Sequence, residues 1–394
     1  MDGSESRYRA WLETRENSGL LRELKPAEGD APGCVSYGGT SYVNFSGNDY
    51  LGLSRHPDLI ARACEWAERH GSGAGASRLV TGNLDMFEDI ERKVASLKGH
   101  ASALIMASGF QTNAAVLQAV LDKQVLGAEP LVFSDRLNHA SMHFGCQAAG
   151  VRQHRYRHCD MNHLATLLAR HGKDAAPKFI LTESVFSMDG DVAPMKEIAE
   201  LARTHGATLI CDDAHATGVL GEGGKGLSEG SDIVIGTFSK ALGSYGAYVA
   251  CSKTVRDYLV NRCSGLIYST ALPPQVLGAI DASLDILPAL DSERAHVAGL
   301  AAHFRDGARA LGFDTGASAT QIVPVIVGET GAALALSARL KGSGYWATAI
   351  RPPTVREGTA RLRLAFSAAH TSRQVDGLLE ALAETKAGQR VNTA

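Results

Sequence analysis

The chain of 394 residues carries 39 Lys+Arg against 42 Asp+Glu, for a formal net charge of −3, with 45% hydrophobic and 21% charged residues. That balance fits a soluble globular protein and offers no basic surplus for nucleic acid. No apolar run approaches the ~18 residues of a membrane span, and the opening Met1 to Arg7 lacks the apolar core of a secretory signal. Seven cysteines (34, 64, 146, 159, 211, 251, 263), without a Cys-x-x-Cys pair, read as reduced thiols of a cytoplasmic protein.

In chain order, residues 6–24 predict an amphipathic helix and 26–39 a turn-rich arm. Residues 42–53 read as extended and irregular, and a helix follows Pro57. Strand and helix then alternate: strands at 101–106, 131–134, 178–182, 207–211, 233–237 and 247–251, with helices at 110–123, 162–170 and 194–205. Continuous apolar strands between helices predict a parallel or mixed α/β sheet covered on both faces. After Pro273-Pro274 the pattern gives helices to about 290 and over 292–311, a strand at 322–327 and a helix at 332–342. A strand at 362–366 and a terminal helix at 372–386 close the chain. The organisation expected is an N-terminal helix and arm (1–45), a large domain (46–280) and a small C-terminal α/β domain (281–394).

Two glycine patterns are weighed against their context. Gly71-Ser72-Gly73-Ala74-Gly75-Ala76 matches a dinucleotide fingerprint but follows a helix, where the fingerprint needs a strand. Gly226-Leu227-Ser228-Glu229-Gly230 matches the nucleophile elbow of acyl hydrolases, but a loop precedes it and a strand follows. Histidines four apart, 139/143 and 154/158, come without His-Glu-x-x-His or a thiolate cluster, so no metal site is expected.

Chemistry concentrates at strand ends, where open parallel sheets place their sites. Asp212-Asp213-Ala214-His215 ends the strand at 207–211, and Lys240 lies just past the strand at 233–237. A Lys after a buried strand is either snorkelling or functional; a desolvated one with a buried carboxylate as partner suits pyridoxal 5′-phosphate. That cofactor's aldehyde takes a Lys amine, and its ring nitrogen takes a carboxylate. Ser108-Gly109-Phe110 opens a helix whose amides can cap a phosphate, with the Thr237 hydroxyl and the His139 imidazole as further candidates.

The chain also carries motifs that resemble the α-oxoamine synthase family of pyridoxal-phosphate enzymes. The motifs are Asn44-Phe45-Ser46-Gly47-Asn48-Asp49-Tyr50-Leu51-Gly52-Leu53, Ser77-Arg78-Leu79-Val80-Thr81-Gly82-Asn83 and Val185-Phe186-Ser187-Met188-Asp189-Gly190-Asp191. Asp212-Asp213-Ala214-His215-Ala216-Thr217-Gly218, Leu266-Ile267-Tyr268-Ser269-Thr270 and the stretch 348–363 continue the series. The resemblance implies the aspartate-aminotransferase-like fold (fold type I), with Lys240 carrying the cofactor as a Schiff base. It implies Asp212 on the ring nitrogen, His215 on the phenolic oxygen, His139 stacked on the ring and Ser187 beside it. It further implies that Gly109, Phe110 and Thr237 hold the cofactor, and that Ser269 and Thr270 reach the phosphate of a neighbouring subunit in a homodimer with composite sites. Arg351 would take the amino-acid carboxylate, with Arg22, Asn48, His139 and Thr354 as substrate contacts. The stretch 348–363 implies the branch that joins L-alanine to a pimeloyl thioester, on coenzyme A or a carrier protein, in biotin biosynthesis. The alternatives are a 2-amino-3-ketobutyrate ligase or a glycine- or serine-using synthase.

Overall fold

A computed structural model describes residues 3–391, with side chains through residue 386. The chain divides into two compact units. One comprises Asn48–Ser187 and Asp191–Ala295. The other comprises residues up to Gly47, Met188–Gly190 and the chain from His296 onward.

The larger unit is built on a seven-stranded sheet. Its strands are β1 (Ser102–Met106), β2 (Leu131–Asp135), β3 (Gln153–Tyr156), β4 (Lys178–Glu183), β5 (Ala207–Asp212), β6 (Ile233–Thr237) and β7 (Ala247–Cys251). The spatial order is β1-β7-β6-β5-β4-β2-β3. The run from β6 to β3 is parallel, and β7 is antiparallel to both of its neighbours. Strands β4 to β7 are almost wholly buried, as their unbroken apolar sequences require of a sheet covered on both faces. One face packs a cluster that includes Leu104, Val116, Leu181, Ile210 and Val249, and the other packs Phe133, Ile180, Leu209 and Ile198. The expected α/β architecture is what the unit shows.

Register places the site. Ala247 of β7 pairs with Met106 on one side and Thr237 on the other, so the carboxyl ends of β1 and β6 flank one residue. Helix α1 (Gly109–Val120) follows β1, and helix α2 (Ala140–Ala148) follows β2.

The smaller unit has a three-stranded antiparallel sheet in the order Ile322–Gly328, Ala360–Ala365, Thr348–Ile350. A second sheet joins the N-terminal strands Cys34–Tyr37 and Thr40–Asn44 to Tyr345–Trp346. Phe45, Phe304 and Phe366 form its aromatic core. Two differences from the sequence reading stand out. The first helix spans Ser4–Asn17 rather than 6–24 and buries no residue, leaving Tyr8 and Trp11 exposed; its hydrophobic residues do not form one buried stripe. The N-terminal arm groups with the C-terminal residues, and the later division falls inside the helix Asp291–Ala310, not near 280. Among the described residues, no helix is long and apolar enough to cross a membrane.

Candidate active site

The carboxyl ends of β4, β5 and β6 supply the core of the site. Asp212 closes β5 and is 7% exposed. Its Oδ1 accepts from the Ala214 N–H at 2.9 Å, and its Oδ2 accepts from Asn113 Nδ2 at 2.6 Å. Asn113 also donates to Ser141 Oγ (3.0 Å), whose hydroxyl lies 2.7 Å from His139 Nδ1. The Ser141 N–H donates to His139 Nδ1 (3.3 Å), so Nδ1 is an acceptor and the Ser141 hydroxyl proton points to it. Burial pushes the His139 pKa down and Lys240 adds to this against the pull of Asp212, so the ring is neutral with its proton on Nε2.

The neighbouring carboxylate has a different partner. Asp213 is fully buried against Lys98 Nζ at 2.6 Å and accepts from Ser184 Oγ (2.5 Å), Thr217 Oγ1 (2.9 Å) and the Leu227 N–H (3.1 Å). Burial opposes the Lys98 charge, but Asp213 outweighs it and holds the ammonium above its ordinary range. The adjacent Asp pair is thus resolved into one structural ion pair and one carboxylate left for the site. Gly226 (φ +85°) is a glycine because a Cβ there would lie 1.7 Å from Asp213 Oδ2. Ser228, the centre of the elbow-like pattern, is buried in the loop that leads into β6.

His215 lies 2.7 Å from Tyr50 Oη through its Nδ1, and Tyr50 donates to Asn48 Oδ1 at 3.1 Å. Lys240 is half-buried three residues past β6. Its charge acts on both His139 and Glu183. The turn beyond it closes through the Gly243 N–H on the Lys240 carbonyl (3.0 Å). Ser187 is buried in the hairpin after β4.

An anion cradle lies at the start of α1. Ser108 caps the helix, its hydroxyl accepting from the Gln111 N–H. Gly109 sits so close to β6 that a Cβ would come within 3.8 Å of Thr237. Thr237 Oγ1 and Ser239 Oγ are 2.7 Å apart. A helix N-terminus beside two hydroxyls suits a phosphate. Ser269 Oγ joins the cradle through Gln111 Nε2 (2.6 Å), while Thr270 is bridged to Ser77. Phe110 is half-exposed against Phe144, with ring centroids 5.6 Å apart.

In the smaller unit, Arg22, Arg351 and Thr354 come together in a cavity of about 680 Å³. Arg22 donates to Thr354 Oγ1 (3.1 Å) and Arg351 donates to the Leu21 carbonyl (2.6 Å). The Arg351 Nε is buried without a partner, and burial together with Arg22 and Arg15 lowers its pKa.

Three site residues carried no signal in the sequence. Asn113 lies inside a helix, Glu183 ends an ordinary strand, and Lys98 ends an amphipathic helix. The register Glu183↔Asp212, the ladder through Ser141 and the Lys98–Asp213 ion pair reveal them.

The donors suit pyridoxal phosphate. A buried carboxylate whose anion is fixed by two N–H groups, a nearby Lys amine, a neutral imidazole and an anion cradle stand at one edge of one sheet. Comparison with known proteins agrees. The family model described as aminotransferase class I and II matches residues 40–382, and the chain belongs to that family. The 8-amino-7-oxononanoate synthase of Gluconacetobacter diazotrophicus is 55% identical over 380 residues, 95% of this chain and 96% of that protein. Serine palmitoyltransferase from S. paucimobilis, solved with a bound PLP–myriocin aldimine, has a TM-score of 0.89 at 27% identity and 98% coverage of both chains. The 8-amino-7-oxononanoate synthase from Francisella tularensis has a TM-score of 0.76 at 25% identity, covering 89% of this chain and 99% of that one. The fold expected from the motifs, type I of the pyridoxal-phosphate enzymes, is borne out.

Proposed function

We propose that this chain is an 8-amino-7-oxononanoate synthase. It condenses L-alanine with a pimeloyl thioester and releases 8-amino-7-oxononanoate, carbon dioxide and free thiol. The observation that carries this reading is the 55% identity to a synthase of that name across nearly the whole length of both proteins. The cluster around Asp212 supplies the matching chemistry.

Bound pyridoxal phosphate supplies the electron sink that makes loss of the alanine Cα proton and of the carboxyl group feasible. Asp212 keeps a proton on the ring nitrogen, because its two oxygens are already fixed as an anion by Ala214 and Asn113. Lys240 provides the amine for the cofactor aldehyde and moves the Cα proton. Neutral His139 offers an uncharged ring face for stacking. His215, oriented by Tyr50, is the hydrogen-bonding partner for the phenolic oxygen. Gly109, Thr237 and Ser239 hold the phosphate. Arg351, with its Nε unpartnered, takes the amino-acid carboxylate, and Arg22 with Thr354 lines the same cavity.

The working form is a homodimer. Tyr268 is 84% exposed, and Leu79, Val80 and Phe110 are exposed close by. The Ser77–Thr270 bridge and the Gln111–Ser269 hydrogen bond tie their segments together. Such an apolar patch on one face supports burial against a second copy. The seven cysteines carry no disulfide among the described residues, in keeping with a cytoplasmic enzyme.

Product analysis with L-alanine, glycine and L-serine against pimeloyl, acetyl and palmitoyl thioesters tests the reading. Alanine with the pimeloyl thioester is expected to be the best pair. A clear preference for glycine with the acetyl thioester, or serine with the palmitoyl one, overturns it.

A further inference from the structure

We infer that His158 is a positioning residue: by bridging Asp135 and Asp191 it fixes the loop that carries His139 and the hairpin that carries Ser187, and so sets two side chains of the cofactor site. The inference rests on the proposed pyridoxal-phosphate chemistry for its functional consequence, although the clamp itself is a matter of geometry.

His158 follows β3, outside the residues that touch the reaction. Its Nδ1 lies 3.0 Å from Asp135 Oδ1, and its Nε2 lies 2.7 Å from Asp191 Oδ2. With a carboxylate at hydrogen-bond distance on each side, both ring nitrogens are donors and the ring is an imidazolium. Asp135 and Asp191 are both buried, and among the described residues His158 makes the one ion pair recorded for either. Burial opposes the charge of His158, but the two carboxylates outweigh it and raise its pKa to about 12. Cys159 brings a thiol 3.8 Å from His158 Nε2, so Asp135, His158 and Cys159 resemble a metal-ligand set. The ring nitrogens, however, are already committed to proton-mediated contacts with the carboxylates.

Each carboxylate anchors a working segment. Asp135 ends β2, and its Oδ1 also accepts from the Leu137 N–H (2.9 Å), two residues before His139. Its Oδ2 accepts from the Cys159 N–H at 2.9 Å. Asp191 closes the hairpin after β4: the Phe186 N–H donates to its carbonyl (3.1 Å), and Val185 bridges Val192. Ser187 follows Phe186, whose ring meets the His158 ring edge-on with centroids 4.4 Å apart. One cation therefore holds the base of one loop and the flank of the other. Without it, two buried carboxylates lose their counter-charge and both segments loosen.

The test compares wild type with His158→Gln and Asp191→Asn by hydrogen–deuterium exchange on the full-length protein, with and without pyridoxal phosphate. His158→Gln should speed exchange in residues 135–142 and 184–193 while residues 247–251 stay protected. Asp191→Asn, the milder change, should loosen 184–193 alone. In the loaded enzyme, His158→Gln should weaken the visible circular dichroism of the bound cofactor. It should also lower kcat/KM for alanine on the order of 100-fold, a loss that largely vanishes on a His139→Ala background. Unchanged exchange in both segments, a uniform rise across the chain, or losses that add fully with His139→Ala overturns the inference. Exchange without cofactor reports the clamp even where the proposed reaction fails, so the two readings are separable.

Discussion

Glu183 and Asp212 are register partners at the carboxyl ends of adjacent parallel strands, both buried, at 2% and 7% exposure. Two carboxylates a strand spacing apart do not share an apolar site as two anions. Asp212 has two N–H donors, whereas burial and the Asp212 charge push the Glu183 pKa well up, against smaller help from the His139 N–H and Lys240. Glu183 is thus the neutral acid and Asp212 the anion. Asp212→Asn should retain some cofactor yet lose most activity, and near-normal exchange of the alanine Cα proton in that variant would contradict the assignment.

The same asymmetry has a pH signature. With a raised native pKa, Glu183 binds its proton more tightly folded than unfolded, so its contribution is fully present below the ordinary carboxyl range and is lost as pH rises. Glu183→Gln should flatten the decline in stability above that range, measured by urea unfolding across pH. An unchanged slope would mean that Glu183 is ionised in the fold.

Lys240→Ala should abolish turnover and the visible band of bound cofactor. Borohydride reduction of wild type followed by peptide mapping should label Lys240; a label on another Lys would displace it from its role.

Gly243 turns the chain back after Lys240 with φ +63°, and a Cβ there would lie 2.4 Å from the Leu53 carbonyl carbon. Gly243→Ala should cost about 2 kcal/mol or more in stability. It should also weaken cofactor retention, because the turn that aims Lys240 must open. A variant as stable as wild type, holding cofactor normally, would show that the turn has slack.

Arg351→Lys should raise the KM for alanine sharply, since an ammonium cannot reproduce a two-point clamp on a carboxylate. Saturation at wild-type alanine concentrations would place the carboxylate elsewhere.

His370 is buried in the smaller unit, accepting from the Ser367 N–H (3.1 Å) and reaching the Asn44 carbonyl (3.2 Å). Desolvation outweighs the hydrogen bonds to the Asn44 and Gly33 backbone and lowers its pKa to about 4. The unfolded state then binds more protons, so stability falls as pH drops from the ordinary imidazole range to about 4, by on the order of 3 kcal/mol. Thermal unfolding of wild type and His370→Gln across that range should show a shallower acid slope in the variant.

Much of the large unit was legible because its strands are continuous apolar runs bounded by helices. Asp212, His215 and Lys240 stand out as polar groups where such runs stop. β3 escaped notice because Gln153-His154-Arg155-Tyr156 is polar: it is an edge strand with only Tyr156 fully buried. The grouping of the N-terminal arm was equally hidden, since Val43 finds its strand partner in Tyr345, some three hundred residues away, and no local pattern encodes that pairing. Asn113 and Glu183 carry ordinary local sequence, and their place in the site comes from register.

β7 supplies none of the site's polar side chains, yet Ala247 sits between the ends of β1 and β6 and therefore sets the gap between the Gly109 helix start and the Thr237 hydroxyl. It acts as a shim. Inserting or deleting one residue in β7 would reset that gap and flip the strand's side chains to the opposite faces, detuning phosphate capture while every phosphate-binding residue stayed in place. Defects in cofactor retention can thus arise in a strand that any search for ligand contacts would pass over, and screens for loss of cofactor should find alleles there.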